Sequence, residues 1–118
     1  MIKKEIVEKC LKIIEKIPPG YGYITFYWGY TDDTEVNIIP NYIVTDFENK
    51  KDLLYKHIIY SLDIIKNKID ENKEKAIYMR VYIKGHLIKK IPVNKNNIDD
   101  ILLSALNDMI LKYIIESI

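Results

Sequence analysis

The sequence contains few of the residues on which several classes of function depend. Its 118 residues include one cysteine, Cys10, one arginine, Arg80, and no glutamine. A single cysteine cannot form an internal disulfide and is typical of a reducing compartment. Arginine is the usual bidentate reader of phosphate and guanine. Its scarcity, together with a net charge of +1, argues against a nucleic-acid partner.

Long apolar runs are also missing. No run approaches the length of a membrane span, and the lysine-rich start lacks the apolar stretch of a signal peptide. The apolar content of 48% suits one compact domain over residues 1–118, with a modest core. We therefore expect a cytoplasmic protein with no membrane partner.

Hydrophobic periodicity predicts three helices, at residues 2–17, 49–70 and 98–117. Pro18 and Pro19 end the first helix. Thr45 and Glu48 have the spacing of a capping box ahead of the second, and Asn97 precedes the third.

Alternating patterns between these helices predict the strands. One strand covers residues 21–30, and an extended stretch covers 35–45, with Pro40 marking a bend or an edge strand. A hairpin follows with Gly85 at its tip, and Pro92 ends it. The element order is α-ββ-α-ββ-α, with a possible extra strand after Pro40. We expect an α+β fold, in which an antiparallel sheet of four to five strands has helices packed on one face.

Two strands carry alternating tyrosines. Because a strand sends successive side chains to opposite faces, each of these strands should show one tyrosine row and one apolar row. The apolar rows predict core and comprise Ile24, Phe26, Trp28 and Tyr30, and Ile77, Met79, Val81 and Ile83. The opposite rows predict a partner-binding surface made of Tyr23, Tyr27, Tyr78, Arg80 and Tyr82. Tyrosine gives a large rigid contact area, although it also favours strands without any binding role.

No group of residues has the spacing of a catalytic or metal site. His57 lies near the buried stripe of the second helix, and His86 follows the hairpin glycine. Two isolated histidines and one cysteine do not form a zinc site. The acidic pair Asp32 and Asp33 is typical of a solvated turn. We therefore predict no metal, no cofactor and no catalytic residues, and these histidines and aspartates would be the acid–base groups only if the protein were an enzyme.

The order of elements resembles that of one family. A short helix ending at Ile17-Pro18, the strand Tyr23-Ile-Thr-Phe-Tyr27, further strands, a long helix and a hairpin near Gly85 are similar to the YezG-type immunity proteins. The resemblance covers residues 2–93 and supplies no diagnostic motif, so it assigns no functional residues. It implies a small antitoxin that neutralises a toxin by binding it. The apolar C-terminal helix departs from the family.

The leading functional hypothesis is a non-enzymatic binding protein of the immunity or inhibitor type, which occludes a partner protein. Two alternatives rank behind this hypothesis. One is a phage-type counter-defence protein, and the other is a protein that sequesters a small ligand or nucleotide.

The C-terminal helix is apolar on more sides than a surface helix needs. The exposed remainder predicts a two-fold symmetric homodimer. The predicted contact residues are Leu103, Leu106, Ile110, Leu111, Ile114 and Ile115. The alternative is a central helix that is buried within its own domain.

Overall fold

The predicted α+β fold is confirmed in a computed structural model of the chain. The structure describes residues 4–28, 34–71 and 76–118, with the side chain of residue 34 left aside. Eight elements follow in chain order: α1 (Lys4–Ile14), β1 (Gly22–Trp28), β2 (Thr34–Asn37), α2 (Asn41–Val44), α3 (Phe47–Glu71), β3 (Ile77–Ile83), β4 (His86–Val93) and α4 (Ile98–Glu116).

The four strands form one antiparallel sheet in the order β2-β1-β3-β4. The two tyrosine-bearing strands, β1 and β3, are therefore neighbours at its centre. Both bury their predicted apolar rows: Ile24, Phe26 and Trp28 from β1, and Ile77, Met79, Val81 and Ile83 from β3. The fourth member of the first row, Tyr30, lies outside the described residues.

The long helices cover one face of the sheet. Buried side chains of α1, α3 and α4 join the apolar rows of β1 and β3 in one hydrophobic cluster, and α1 contacts both α3 and α4. Helix α1 buries Val7, Cys10, Leu11 and Ile14, which follow helical spacing. Helix α1 ends at Ile14, shortly before Pro18 and Pro19. The helix could not continue through these prolines, because proline lacks the N–H that a helix interior needs.

Residues 35–45 were predicted as an extended stretch, and that prediction is wrong beyond Asn37. Strand β2 ends at Asn37, and Asn41–Val44 form the short helix α2, with Pro40 at its N-cap. Proline suits this position because the first amides of a helix have no intrahelical acceptor. Thr45 closes α2, and its hydroxyl lies 3.4 Å from the Tyr42 carbonyl, so the predicted capping box does not form.

The hairpin of β3 and β4 turns at Lys84 and Gly85, as the glycine predicted. Both residues have positive φ, 50° and 81°, which is the backbone of a tight two-residue turn. Pro92 lies inside β4, one residue before its end. A proline is tolerated there because β4 is an edge strand, which leaves one side of its backbone without a partner strand.

Helix α4 buries one side only, through Ile98, Leu102, Ala105, Leu106 and Met109. Leu106 is thus part of the protomer's own core, and its assignment to a dimer contact is wrong. Leu103 and Ile110 are half-buried, whereas Leu111, Ile114 and Ile115 are 55%, 49% and 68% exposed. The apolar surface of α4 is therefore concentrated in its last turns.

Candidate functional site

The sheet face opposite the helices carries all five residues of the predicted binding surface. The register places Tyr23 opposite Tyr82, Thr25 opposite Arg80, and Tyr27 opposite Tyr78. Directly opposite residues of an antiparallel pair share a face and lie within contact distance. We call these six residues the tyrosine face. All of them are half-buried except Thr25, which is only 3% exposed.

One end of the tyrosine face is formed by two stacked rings. The centroids of Tyr23 and Tyr82 are 4.5 Å apart, and the ring planes differ by 13°. Burial, followed by the proximity of Tyr82 and Glu35, raises the pKa of Tyr23. The neutral phenol of Tyr23 is thereby favoured.

Two cations lie over aromatic rings in the other part of the face. One is Arg80, and the other is Lys90 on the neighbouring strand β4. The guanidinium carbon of Arg80 lies 3.8 Å from the centroid of the Tyr27 ring, and Lys90 Nζ lies 4.4 Å from that of Tyr78. Cations over ring faces are attracted by the ring quadrupole. The rings thereby hold both cations in defined positions, so each would lose little side-chain entropy on meeting an anion.

Two polar atoms of the face are buried. Thr25 Oγ1 and Arg80 Nε have no hydrogen-bond partner among the residues that the structure describes. A buried polar group without a partner costs about 1–3 kcal/mol. Sequence reasoning passed over Thr25 and Lys90. The alternation in β1 was sufficient to place Thr25 on the same face as the tyrosines. Lys90 could not be assigned to this site without the β3–β4 register, which pairs it with Arg80.

His57 has a structural role. Its Nε2 lies 2.6 Å from the Asn37 carbonyl oxygen, which joins α3 to the end of β2. A carbonyl only accepts, so Nε2 carries the proton in that bond. The Ser61 hydroxyl is 3.5 Å from the same nitrogen. The protonated Nε2 cannot serve as its base, and this pair does not form a nucleophilic site.

The other candidate groups do not come together. His86 is exposed at the start of β4, and Asp32 and Asp33 lie outside the described residues. Within residues 4–28, 34–71 and 76–118, no cluster of three or more histidine, cysteine or acidic side chains could hold a metal ion. Burial, with a smaller effect of Asp99, raises the pKa of Cys10 to about 12, so its thiol is not a reactive nucleophile.

A cavity of about 300 Å³ opens at the end of the sheet next to Tyr23. Its walls come from the segment after α1, the start of β1, the end of β2, α2 and the hairpin tip. The lining includes Pro18, Gly22, Tyr23, Asn37, Val44 and Gly85. Its volume is at the lower limit of typical small-molecule sites.

Comparison with known proteins gives no relative for this chain. No protein-family model matches it, and neither a curated protein nor a solved structure does. Among the described residues, the helices are too short or too polar for any of them to cross a membrane.

Proposed function

We propose that this protein is a non-enzymatic, cytoplasmic binding protein of the immunity or inhibitor type, which occludes a partner protein with its tyrosine face. The observation that carries the proposal is the concentration of four tyrosines and the only arginine on the helix-free side of two central strands. Tyrosine and arginine are enriched among the residues that dominate binding energy at protein interfaces.

The packing within the face supports this use. Tyr23 and Tyr82 are held against each other, and Arg80 is held over Tyr27. Preorganised side chains lose less conformational entropy when a partner binds. A flat, rigid aromatic surface on a sheet also offers a wide contact area without a deep pocket, which suits a protein partner better than a small substrate.

The resemblance to YezG-type immunity proteins favours a toxin as the partner. A phage-type counter-defence protein would use the same face on a defence protein of the host. Both roles act by occlusion and need no reactive group, so one experiment on the face tests the property that they share.

That experiment is affinity capture from the native host with matched alanine variants. We expect Tyr27→Ala and Tyr82→Ala each to weaken partner binding by about 2 kcal/mol, or roughly 30-fold, if these rings are hot spots. Both rings are half-buried on the outer face, so the fold should survive, as circular dichroism would verify. Tyr60→Ala is the control, because this tyrosine lies on α3 and is 67% exposed.

A protein that is retained by the wild type and the Tyr60 variant, and lost from both face variants, would support the proposal. Equal retention by all four proteins would place the interface elsewhere. Recovery of no specific protein would contradict a binding role of this kind.

A second candidate, sequestration of a small ligand or nucleotide, is favoured by the cavity beside Tyr23. Tyr23 and Asn37 supply an aromatic ring and an amide at its wall. Thermal shifts across a panel of nucleotides and metabolites test this role. A flat response across the panel, with no small molecule released from the denatured protein, would eliminate it.

A further inference from the structure

We propose that the partner presents an acidic segment to the tyrosine face, and that one of its carboxylates docks between Arg80 and Lys90. This inference rests on the proposed function and specifies the chemistry of the partner. It is argued from two adjacent cations that have no counter-ion, and from a donor on Arg80 that has no acceptor, among the described residues.

The first observation is a pair of like charges. Arg80 and Lys90 lie directly opposite each other on β3 and β4. Like charges in such a cross-strand pair destabilise a sheet. No carboxylate in the described part of the chain forms an ion pair with either side chain. Lys89, the neighbour of Lys90 on the same strand, is by contrast paired with Asp108.

The second observation is the identity of the unpartnered atoms. Arg80 Nε–H is a donor, and the Thr25 hydroxyl can donate as well. An ionised carboxylate only accepts and has about four sites at which it can do so. One carboxylate between Arg80 and Lys90 can therefore neutralise both cations at once. An apolar or basic partner would leave both charges without a counter-ion.

The geometry of the rings favours a protein segment over a single nucleic-acid strand. Tyr23 and Tyr82 stack on each other with centroids 4.5 Å apart, which leaves no gap for a base between them. Leu87, opposite Tyr82 on β4, is half exposed and extends this end of the face as an apolar surface. An acidic residue flanked by apolar or aromatic residues matches such a surface.

The test is selection of random peptides against the immobilised protein, followed by affinity measurement of the selected peptides. We expect enrichment of Asp or Glu beside apolar residues, and replacement of that acid by its amide should weaken binding tenfold or more. The protein variant Arg80→Gln, Lys90→Gln should lose affinity by a similar factor or more. Lys89→Gln, which removes the same charge from the opposite side of β4, should bind like the wild type.

Each other outcome has a definite meaning. Selected peptides without acidic enrichment, or with affinity unchanged in the double variant, would overturn the acidic-segment inference. If those peptides still lost affinity with Tyr82→Ala, the tyrosine face would survive as the binding surface and only its partner chemistry would be wrong. Saturable binding of a short oligothymidylate that the double variant abolishes would overturn the inference in favour of nucleic acid.

A folding defect would not obscure the result. Lys90 is exposed, so Lys90→Gln alone should preserve the thermal transition. This single variant should weaken the selected peptides, and raised salt should weaken wild-type binding by screening. Affinity that is independent of both changes would contradict the inference.

Discussion

Thr25 shows at the scale of one residue how a binding surface can conflict with stability. Its hydroxyl is buried at the centre of the sheet, and no described residue forms a hydrogen bond with it. We expect Thr25→Val to raise the free energy of unfolding by about 1 kcal/mol, since a methyl group needs no hydrogen bond. Urea denaturation measures this change.

The control for this substitution is Thr45→Val. The Thr45 hydroxyl is exposed and lies 3.4 Å from the Tyr42 carbonyl, so its loss should not stabilise the protein. A clear loss of stability in Thr25→Val would show that the hydroxyl is hydrogen-bonded in solution.

A second residue, Tyr21, should be recognisable by its titration. It donates a hydrogen bond of 3.0 Å to Glu116, whose carboxylate also pairs with Lys84 at 3.1 Å. Burial, followed by this hydrogen bond, raises the pKa of Tyr21 from 10.0 to about 12. The neutral phenol is favoured in the folded state. Its contribution to stability is therefore complete below pH 10 and is lost as the pH rises towards 12.

The ultraviolet absorbance of tyrosinate during alkaline titration tests this prediction. Tyr21→Phe should remove one late-titrating group, whereas Tyr60→Phe, on the exposed side of α3, should leave that group in place. If Tyr21→Phe leaves the end of the titration curve unchanged, Tyr21 is not the buried, hydrogen-bonded phenol that raises this pKa.

At the scale of elements, strong periodicity made most of the fold predictable. The alternation in β1 and β3 assigned both faces of the sheet, because a period of two leaves only two choices, and one row was fully apolar. The segment after Pro40 was not predictable in the same way. Ile43 and Val44 are buried in one turn of helix, and four residues are too few to show a helical period.

Gly22 marks a close approach between elements that local sequence patterns do not reveal. A Cβ at this position would lie 2.7 Å from the Tyr82 carbonyl oxygen and 2.9 Å from Met109 Sδ. Glycine therefore permits close approach between β1, β3 and α4. We expect Gly22→Ala to lower the free energy of unfolding by about 1–3 kcal/mol through overpacking, as measured in urea.

A double-mutant cycle separates this packing effect from a general cost of replacing glycine. The loss caused by Gly22→Ala should be smaller in a Met109→Ala background, because one of the two contacts is then gone. Gly20→Ala is the matched control. Its Cβ would meet nothing within 4 Å, and its cost comes from a φ of +83°, so the background should not change it. Additive losses for Gly22 would contradict the predicted contact with α4.

At the scale of the whole molecule, the strand register was the part of the site that could not be predicted from the sequence. The sequence supplied the tyrosines and Arg80, but not which residues meet across β1, β3 and β4. The stacked pair, the two cation–ring contacts and the adjacency of Arg80 and Lys90 all depend on pairings between strands far apart in sequence. No local pattern determines such pairings, so the predicted site was a set of residues without a geometry.

The surface of α4 leads to the last prediction, which concerns self-association. We propose that the protein forms a two-fold symmetric homodimer through the last turns of α4, where Leu111, Ile114 and Ile115 are exposed on the protomer. Such an apolar patch is costly on a soluble monomer. Light scattering at micromolar concentration should therefore give about twice the chain mass of 14.0 kDa. Ile115→Asp should return the mass to that of one chain while the thermal transition is retained.

Leu53→Asp provides the matched control, because Leu53 on α3 is 50% exposed and lies outside the predicted contact. It places the same charge on an exposed apolar position and should leave the dimer intact. Dissociation by both variants would indicate a non-specific effect of the added charge rather than a contact through α4. A wild-type protein that remains a monomer at micromolar concentration would end the dimer proposal.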